Sequence, residues 1–305
     1  MTGPEKRLAL AATVIAIVAM AALAAPLIGW IVGYDPFDTD LLRRYSPPSF
    51  ANPLGTDELG RDVAMRLLFG ARVSLAVGLA AALAASTIGT AVGLVAGYFG
   101  GRVDQILMRG TDAVLSLPVL PVLIVLAAVD LGKLGVPEGE ASSLIRIVVI
   151  VAAFGWPKVA RLVRGHALAL RERDFVGAAR ALGAGPWRIM WAHILPNCAT
   201  PILIATALAV GGTILYESVL SFLGLGIQPP IPSWGNMLTG AQETIVQAPW
   251  LALWPGLAIL ITVAAINLLA DASHSSCQAR YCLYTTLTGI TLHKEQLICH
   301  LSHAL

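Results

Sequence analysis

The sequence predicts an all-α, polytopic membrane protein with six transmembrane helices, and three observations carry that prediction. Hydrophobic residues make up 57% of the 305 residues and charged residues only 12%, about half the ~25% expected of a soluble domain. Five stretches free of Asp, Glu, Lys and Arg lie near or above the ~18 residues a spanning helix needs, and a sixth carries a single arginine. An arginine-rich polar island, Lys158 to His193, separates two of these apolar runs.

The spans, in order, are Leu8–Tyr34, Val73–Gly101, Ala113–Val129, Ala141–Pro157, Ile189–Tyr216 and Thr244–Ala270. The first follows Lys6-Arg7 and is similar to a signal peptide, but it exceeds the ~7–15 residue core of one. It is therefore expected to stay as an anchor with its N-terminus inside. The fourth span contains Arg146, whose long stem lets the guanidinium reach the interface from near a helix end. Without that span, the island would share a side with Arg43 and Arg44. With it, the inner segments hold thirteen of the twenty Lys and Arg residues, as the preference for positive charge inside requires. Both termini are then cytoplasmic. Three divisions follow: an N-terminal helix with its external loop (1–72), a transmembrane core (73–271) with the inner loop 158–193, and a tail (272–305).

Several chemistries are excluded. Gly132-Lys133 lacks the preceding glycine and the hydroxyl residue of a phosphate loop, no Gly-x-Ser-x-Gly or His-Glu-x-x-His occurs, and Asp38-Thr-Asp40 lacks the rest of a calcium loop. The chain is expected to be non-catalytic, with no cofactor or metal of its own. A net charge of +2 implies no nucleic acid, and arginines gathered at a membrane face are explained by topology and anionic lipid. Cys198, at a span entrance, suits a small core position.

Within the island, Asp174 is placed to cap a helix starting at Phe175, since a carboxylate accepts from free N–H groups at the positive end of the dipole. Gly183 supplies a stop, and Gly185-Pro186 breaks the chain before a helix from Trp187 leads back into the membrane. The short helix between them, Phe175 to Leu182, carries Gly177, Ala178, Ala179 and Ala181. Small side chains at helical spacing expect a shallow surface that another protein's groove can approach. The alternative is an amphipathic linker lying on headgroups.

Asp174 to Pro196 resembles the EAA loop of ATP-binding-cassette importer permeases, with Ala178, Ala179, Gly183, Leu195 and Pro196 in register. Gly177 stands where the family has glutamate, and His193 where isoleucine is usual. Leu54-Gly-Thr-Asp-Glu-Leu-Gly-Arg-Asp62, Gly70-Ala-Arg-Val-Ser-Leu75, Glu217-Ser-Val-Leu-Ser-Phe-Leu-Gly-Leu-Gly226 and Pro232-Ser-Trp-Gly-Asn236 resemble the C-type permeases of dipeptide, oligopeptide and nickel importers. The resemblance implies a type I importer fold in the bacterial inner membrane. It also implies a homologous B-type permease, two cytoplasmic ATPases that use ATP and Mg, and a periplasmic or lipid-anchored substrate-binding protein. The chain would form half of a translocation pathway. Dipeptides, oligopeptides, nickel chelates, glutathione and haem are all carried by similar permeases. Rival classes are a secondary transporter, for which neither midplane ionisable residues nor inverted repeats are evident, and a membrane scaffold or receptor.

Other residues carry narrower expectations. Gly89, Gly93 and Gly97 allow close helix approach, within the chain or to the partner permease. Arg109 and Asp112, three apart, are placed to pair. Pro118 and Pro121 are expected to bend the third span, which is one place for a gate. Glu217 either faces the pathway, where it would meet a substrate amine, or bonds a neighbouring helix. Trp234 suits an interfacial belt, and its loop, with Asp35 to Asp62, is expected to meet the binding protein, cover the cavity or anchor at the interface. The tail holds Cys277, Cys282, His293, Cys299, His300 and His303, whose spacings match no zinc pattern. It is expected to be an appended, poorly ordered sequence.

Overall fold

A computed structural model of the chain describes residues 3–33, 35–129, 139–239 and 241–288. Its elements are α1 (Gly3–Val32), α2 (Val63–Phe99), α3 (Gly101–Ser116), α4 (Val119–Ala127), α5 (Glu140–Arg171), α6 (Asp174–Ala181), α7 (Pro186–Ile189), α8 (Ala199–Phe222), α9 (Ala241–Thr244) and α10 (Trp250–Thr288). Among the described residues there is no strand, only an isolated bridge between Thr56 and Asp62. Five helical stretches are long and apolar enough to cross a membrane, or six when the bent pair α3 with α4 is counted as one span.

The third span differs most from expectation. Ala113–Val129 is not one helix: α3 and α4 meet at 82°, broken at Leu117, which is extended at φ −77°, ψ 138°. Pro118 causes this, because its ring disfavours helical backbone in the residue before it. Pro121 does not bend anything. It lies in the first turn of α4, where the missing N–H has no helical partner to lose.

The fourth span continues far past Pro157. At 32 residues, α5 is about 48 Å long, well over the ~30 Å of a hydrocarbon core. Lys158 to Arg171 is therefore helix projecting from the membrane, where sequence reading expected loop. Similarly, α2 starts at Val63 rather than Val73, because Arg66 is buried beside Asp57 (3.4 Å) and does not mark a helix end. At the C-terminus α10 remains helical to Thr288, past the boundary at 271. Side chains from 274 onward and all of 289–305 lie outside the described structure, and with them the Cys and His side chains of the tail.

The core is built on α2. Gly89, Gly93 and Gly97 pack against α5, so the reading of contact within the chain is the one borne out. A Cβ on Gly89 would lie 2.5 Å from Trp156 O and 2.8 Å from Val159 Cβ, and one on Gly97 would lie 2.6 Å from Ala167 Cβ; Gly93 meets Ala160 O in the same way. Lipid tails are as apolar as leucine, so span association depends on such backbone proximity. The other face of α2 meets α8, where Ser86 and Thr206 share a hydrogen bond (2.6 Å) and Thr213 Oγ1 donates to Gly78 O (2.7 Å). Among the described side chains of α1, only the small Ala11, Ala22 and Ala25 are buried, while Leu23 and Trp30 are exposed.

Gly93→Ala should lower the thermal unfolding midpoint in detergent, costing about 1–3 kcal/mol for the overpacked contact. Gly110→Ala, where the added methyl meets nothing within 4 Å, serves as the control. Equal stability of the two variants would remove the α2–α5 contact from its central place.

Candidate functional site

Beyond Arg171 the chain turns at Glu172 and Arg173 and enters α6. Asp174 is the first residue of this helix; Arg173 occupies the cap position, and no side chain caps it. The expected carboxylate cap is therefore not formed. Asp174 still lies in the first turn, where its charge opposes the positive end of the dipole. At the far end, Gly183 N–H donates to Arg180 O and Ala184 N–H to Ala179 O, both at 3.0 Å. These are the paired bonds of a Schellman cap, and they require the left-handed backbone that Gly183 supplies at φ +85°.

The loop then re-enters through a distorted helix. Pro186 begins α7, where a missing N–H costs nothing. Met190–Ile194 is a π turn, closed by Leu195 N–H donating to Met190 O at 2.8 Å. It precedes Pro196, which removes a helical donor. Asn197 Nδ2 donates to His193 O at 2.6 Å, satisfying a carbonyl near the break. Asn197 was missed as a site residue by sequence reading, although it completes His193-Ile-Leu-Pro-Asn197.

Two side chains root α6 in the protein. Val176 is fully buried and Ala179 is 8% exposed. Val176 joins a cluster of Leu94, Val159, Val163, Ala167, Ile189, Met190, Ile194 and Cys198. Ala179 is thus not part of the outward surface, because it lies three residues from Val176 on the same side of the helix. The opposite side exposes Phe175 (41%), Ala178 and Leu182 (89%). Gly177 is also exposed, and a Cβ there would meet nothing. Shallow small residues between two outward apolar side chains make a surface that excludes little and binds by contact.

The loop is joined to the bundle by arginines. Arg171 Nη1 donates to Tyr98 O at 3.2 Å, fastening the end of α5 to the end of α2. Asp112 pairs with Arg161 (2.5 Å), not with Arg109, and Arg164 pairs with Asp104 through both oxygens. Arg109 and Asp112 share a helix turn, but the guanidinium that reaches Asp112 comes from α5.

Glu217, Ser74, Ser221 and Trp234 form a separate polar centre. Glu217 is fully buried; Ser74 Oγ donates to Oε2 (3.1 Å) and Ser221 Oγ to Oε1 (2.8 Å). These serines accept from Trp234 N–H (3.2 Å) and Ile227 N–H (3.0 Å). The carboxylate therefore bonds one neighbouring helix, α2, and, through the hydroxyls of Ser74 and Ser221, holds the segment after α8. Trp234 is 2% exposed and its Nε1 donates to Leu67 O (3.1 Å), so it is a core residue and not an interfacial anchor. Arg146 does not snorkel freely either, because its Nη2 donates to Leu225 O at 3.1 Å.

The motif Leu54 to Asp62 folds as a cap over the same end. Asp57 accepts from the backbone of Leu59 and Arg61 (both 2.9 Å) and pairs with Arg61 Nε (2.6 Å). Asp62 caps α2 through Met65 N–H (2.7 Å) and accepts from Asn52 Nδ2 (2.8 Å). Fully hydrogen-bonded charges of this kind escape the desolvation cost of an unpaired one.

Helices of membrane length, tied by polar centres at one end and bearing an ordered loop at the other, define a multi-pass permease subunit. A model of the family "binding-protein-dependent transport system inner membrane component" matches residues 89–281, and the chain belongs to that family, as an inner-membrane permease subunit of an ATP-binding-cassette importer. It is 40% identical to the glutathione transport system permease protein GsiD of Pectobacterium atrosepticum, over 79% of this chain and 77% of that one. It is 38% identical to the di/tripeptide transport system permease protein DppC of Pseudomonas aeruginosa, over 84% and 82%. A putative peptide transport permease of Brucella suis is also 38% identical, over 84% and 81%. Among solved structures, the MetNI methionine ABC transporter shares the fold, with a TM-score of 0.52 at 20% identity, over 67% of this chain and 93% of that one.

Ala179→Trp should destabilise the detergent-solubilised protein by about 1–3 kcal/mol, since the site has no room for an indole, whereas Ala178→Trp should leave its thermal midpoint unchanged. The reverse order of stabilities would invert the assignment of the two faces.

Proposed function

We propose that the chain forms half of the translocation pathway of an importer for short peptides, and that the loop from Asp174 to Pro196 receives the motion of a partner ATPase. The observation that carries this reading is α6 itself. An eight-residue helix capped at Gly183, rooted by Val176 and Ala179, and open along Phe175, Ala178 and Leu182 is a rigid knob fit for another protein's groove. Leu195 and Pro196 anchor its return. The peptide class is supported by the relatives, whose names specify di/tripeptides, peptides and glutathione, itself a tripeptide.

In this reading both termini and the arginine-rich loop are cytoplasmic, as positive charge inside favours. The partners are a homologous B-type permease, two ATPases and a periplasmic or lipid-anchored substrate-binding protein. ATP and Mg are used by the ATPases, and this chain binds no cofactor. Closure of the ATPases draws α6 with them, and the spans shift between inward- and outward-open arrangements. Each ligand drives the cycle only so far as it favours one arrangement over the other. Glu217, with both oxygens engaged, is assigned to holding helices. The break at Pro118 is retained as the place where the pathway can change shape.

The test is uptake of a labelled dipeptide into proteoliposomes holding the complete transporter. ATP-dependent uptake is expected. Uptake without ATP would establish a secondary transporter, and ATPase binding without uptake a scaffold. In the same assay Ala178→Trp should lower uptake about tenfold while the complex remains inserted, a loss within the usual range of coupling energies. Gly177→Glu should preserve or raise uptake: it fits the open position and removes roughly 1 kcal/mol of helix cost. Normal transport by Ala178→Trp would sink the docking assignment.

A further inference from the structure

The 16-residue helix α3 is attached to the protein with little buried surface. Among the described residues of α3, only Thr111 is buried, and none joins a buried apolar cluster. Its ends are both joints. Gly100 and Gly101, at φ +64° and +54°, separate it from α2 in a backbone region where other residues are strained. Leu117-Pro118 separates it from α4 at 82°. Between these joints α3 is held laterally by charge. Asp104 takes both Nε and Nη2 of Arg164, the latter at 2.6 Å, and Asp112 takes Nη2 of Arg161 at 2.5 Å.

Both arginines stand on the projecting end of α5. That end is fixed to α2 by the glycine contacts and by Arg171 at Tyr98 O, and it leads directly into α6. A displacement of α6 therefore reaches α5 through packed backbone and reaches α3 most directly through the two ion pairs. The Arg164–Asp104 pair is the stronger link. It is bidentate, and its side chains are 34% and 14% exposed, against 54% and 58% for Arg161–Asp112. Planar two-point contacts fix direction as well as distance, while exposed single contacts hold weakly.

We propose that Asp104 with Arg164, assisted by Asp112 with Arg161, are positioning residues for transport: through them α5 carries α3, and so sets the angle of the broken third span, whenever α6 is displaced. This rests on the reading of α6 as the ATPase-docking helix. Neither pair touches substrate. What they contribute is that motion at the loop cannot leave the third span behind.

The experiment uses the complete transporter in proteoliposomes and reads labelled dipeptide uptake per ATP hydrolysed. Asp104→Arg and Arg164→Asp should each lower that ratio about tenfold while ATP hydrolysis continues, a loss of the size expected when two sites are uncoupled. The double swap, which restores an ion pair of reversed polarity, should recover most of it. A merely structural role would lower yield and hydrolysis together and leave the ratio unchanged. Asp104→Asn, which keeps the size of the side chain, should act in the same direction and covers the case in which charge reversal prevents assembly. The proposal is overturned if the single variants keep the wild-type ratio, or if the assembled double swap transports no better than they do. If the wild-type complex fails to assemble with its ATPases or takes up dipeptide without ATP, the docking reading itself fails and this inference goes with it.

Discussion

The approach of α2 to α5 is the contact on which the rest of the molecule depends. In a bilayer there is no hydrophobic gain in moving a span from lipid to protein, so helices associate where backbones come close enough for dispersion contacts to be dense. Gly89, Gly93 and Gly97 give α2 such a strip, and α5 lays Trp156, Ala160 and Arg164 carbonyls directly onto it. Because α5 projects well past the membrane, the same contact carries the bundle's rigidity out to Arg171 and so to α6. A loop that ended in a flexible linker could not transmit a push. One that continues a close-packed helix can.

At the other end of the bundle the stabilising principle is electrostatic. Glu217 and Asp57 are buried carboxylates, and burial is tolerated because both oxygens of each accept hydrogen bonds. Around Glu217 the donors are serines that in turn accept from the backbone of the segment after α8. Around Asp57 they are two backbone amides and the Arg61 guanidinium, with Arg66 paired at 3.4 Å. Both centres turn an irregular chain into a fixed lid over helices whose own backbone groups are already satisfied. This explains why polar residues of Glu217 to Gly226, Pro232 to Asn236 and Gly70 to Leu75 converge: Ser74, Glu217 and Trp234 lie on three separate segments and meet in one network.

The membrane class, the family and the position of the loop were legible in the sequence because each rests on composition or on a contiguous motif. Charge-free runs reveal spans whatever their packing, and Gly183 marks a helix stop because the left-handed backbone has few other occupants. Lengths were less legible. Charge was taken to end a span, yet Lys158 to Arg171 continues α5 in the aqueous phase, and Arg66 lies inside α2 because Asp57 neutralises its burial. Facing was legible only in part. Ala178 and Ala179 are indistinguishable as letters, and only the position of Val176 on the same turn decides which is hidden. Pairing was least legible: Asp112 has a well-spaced partner in Arg109, but the arginine that reaches it lies on another helix.

These failures share a physical cause, and it bears on function. Local rules describe what a segment does when nothing else touches it, and they fail where another element supplies a stronger partner. Asp112, Trp234 and Arg146 were all expected to look toward lipid, solvent or a near neighbour in sequence, and each is taken up by a distant segment. In a protein whose spans are held by shallow dispersion contacts, such directed bonds determine which helices move as one body. The helix α3, in which Thr111 alone is buried among the described residues, is held at its side by such bonds and has a joint at each end. The α3 half of the bent third span is therefore the part of the bundle that its own packing holds least, whereas α4 is anchored by Leu123 and Ala127.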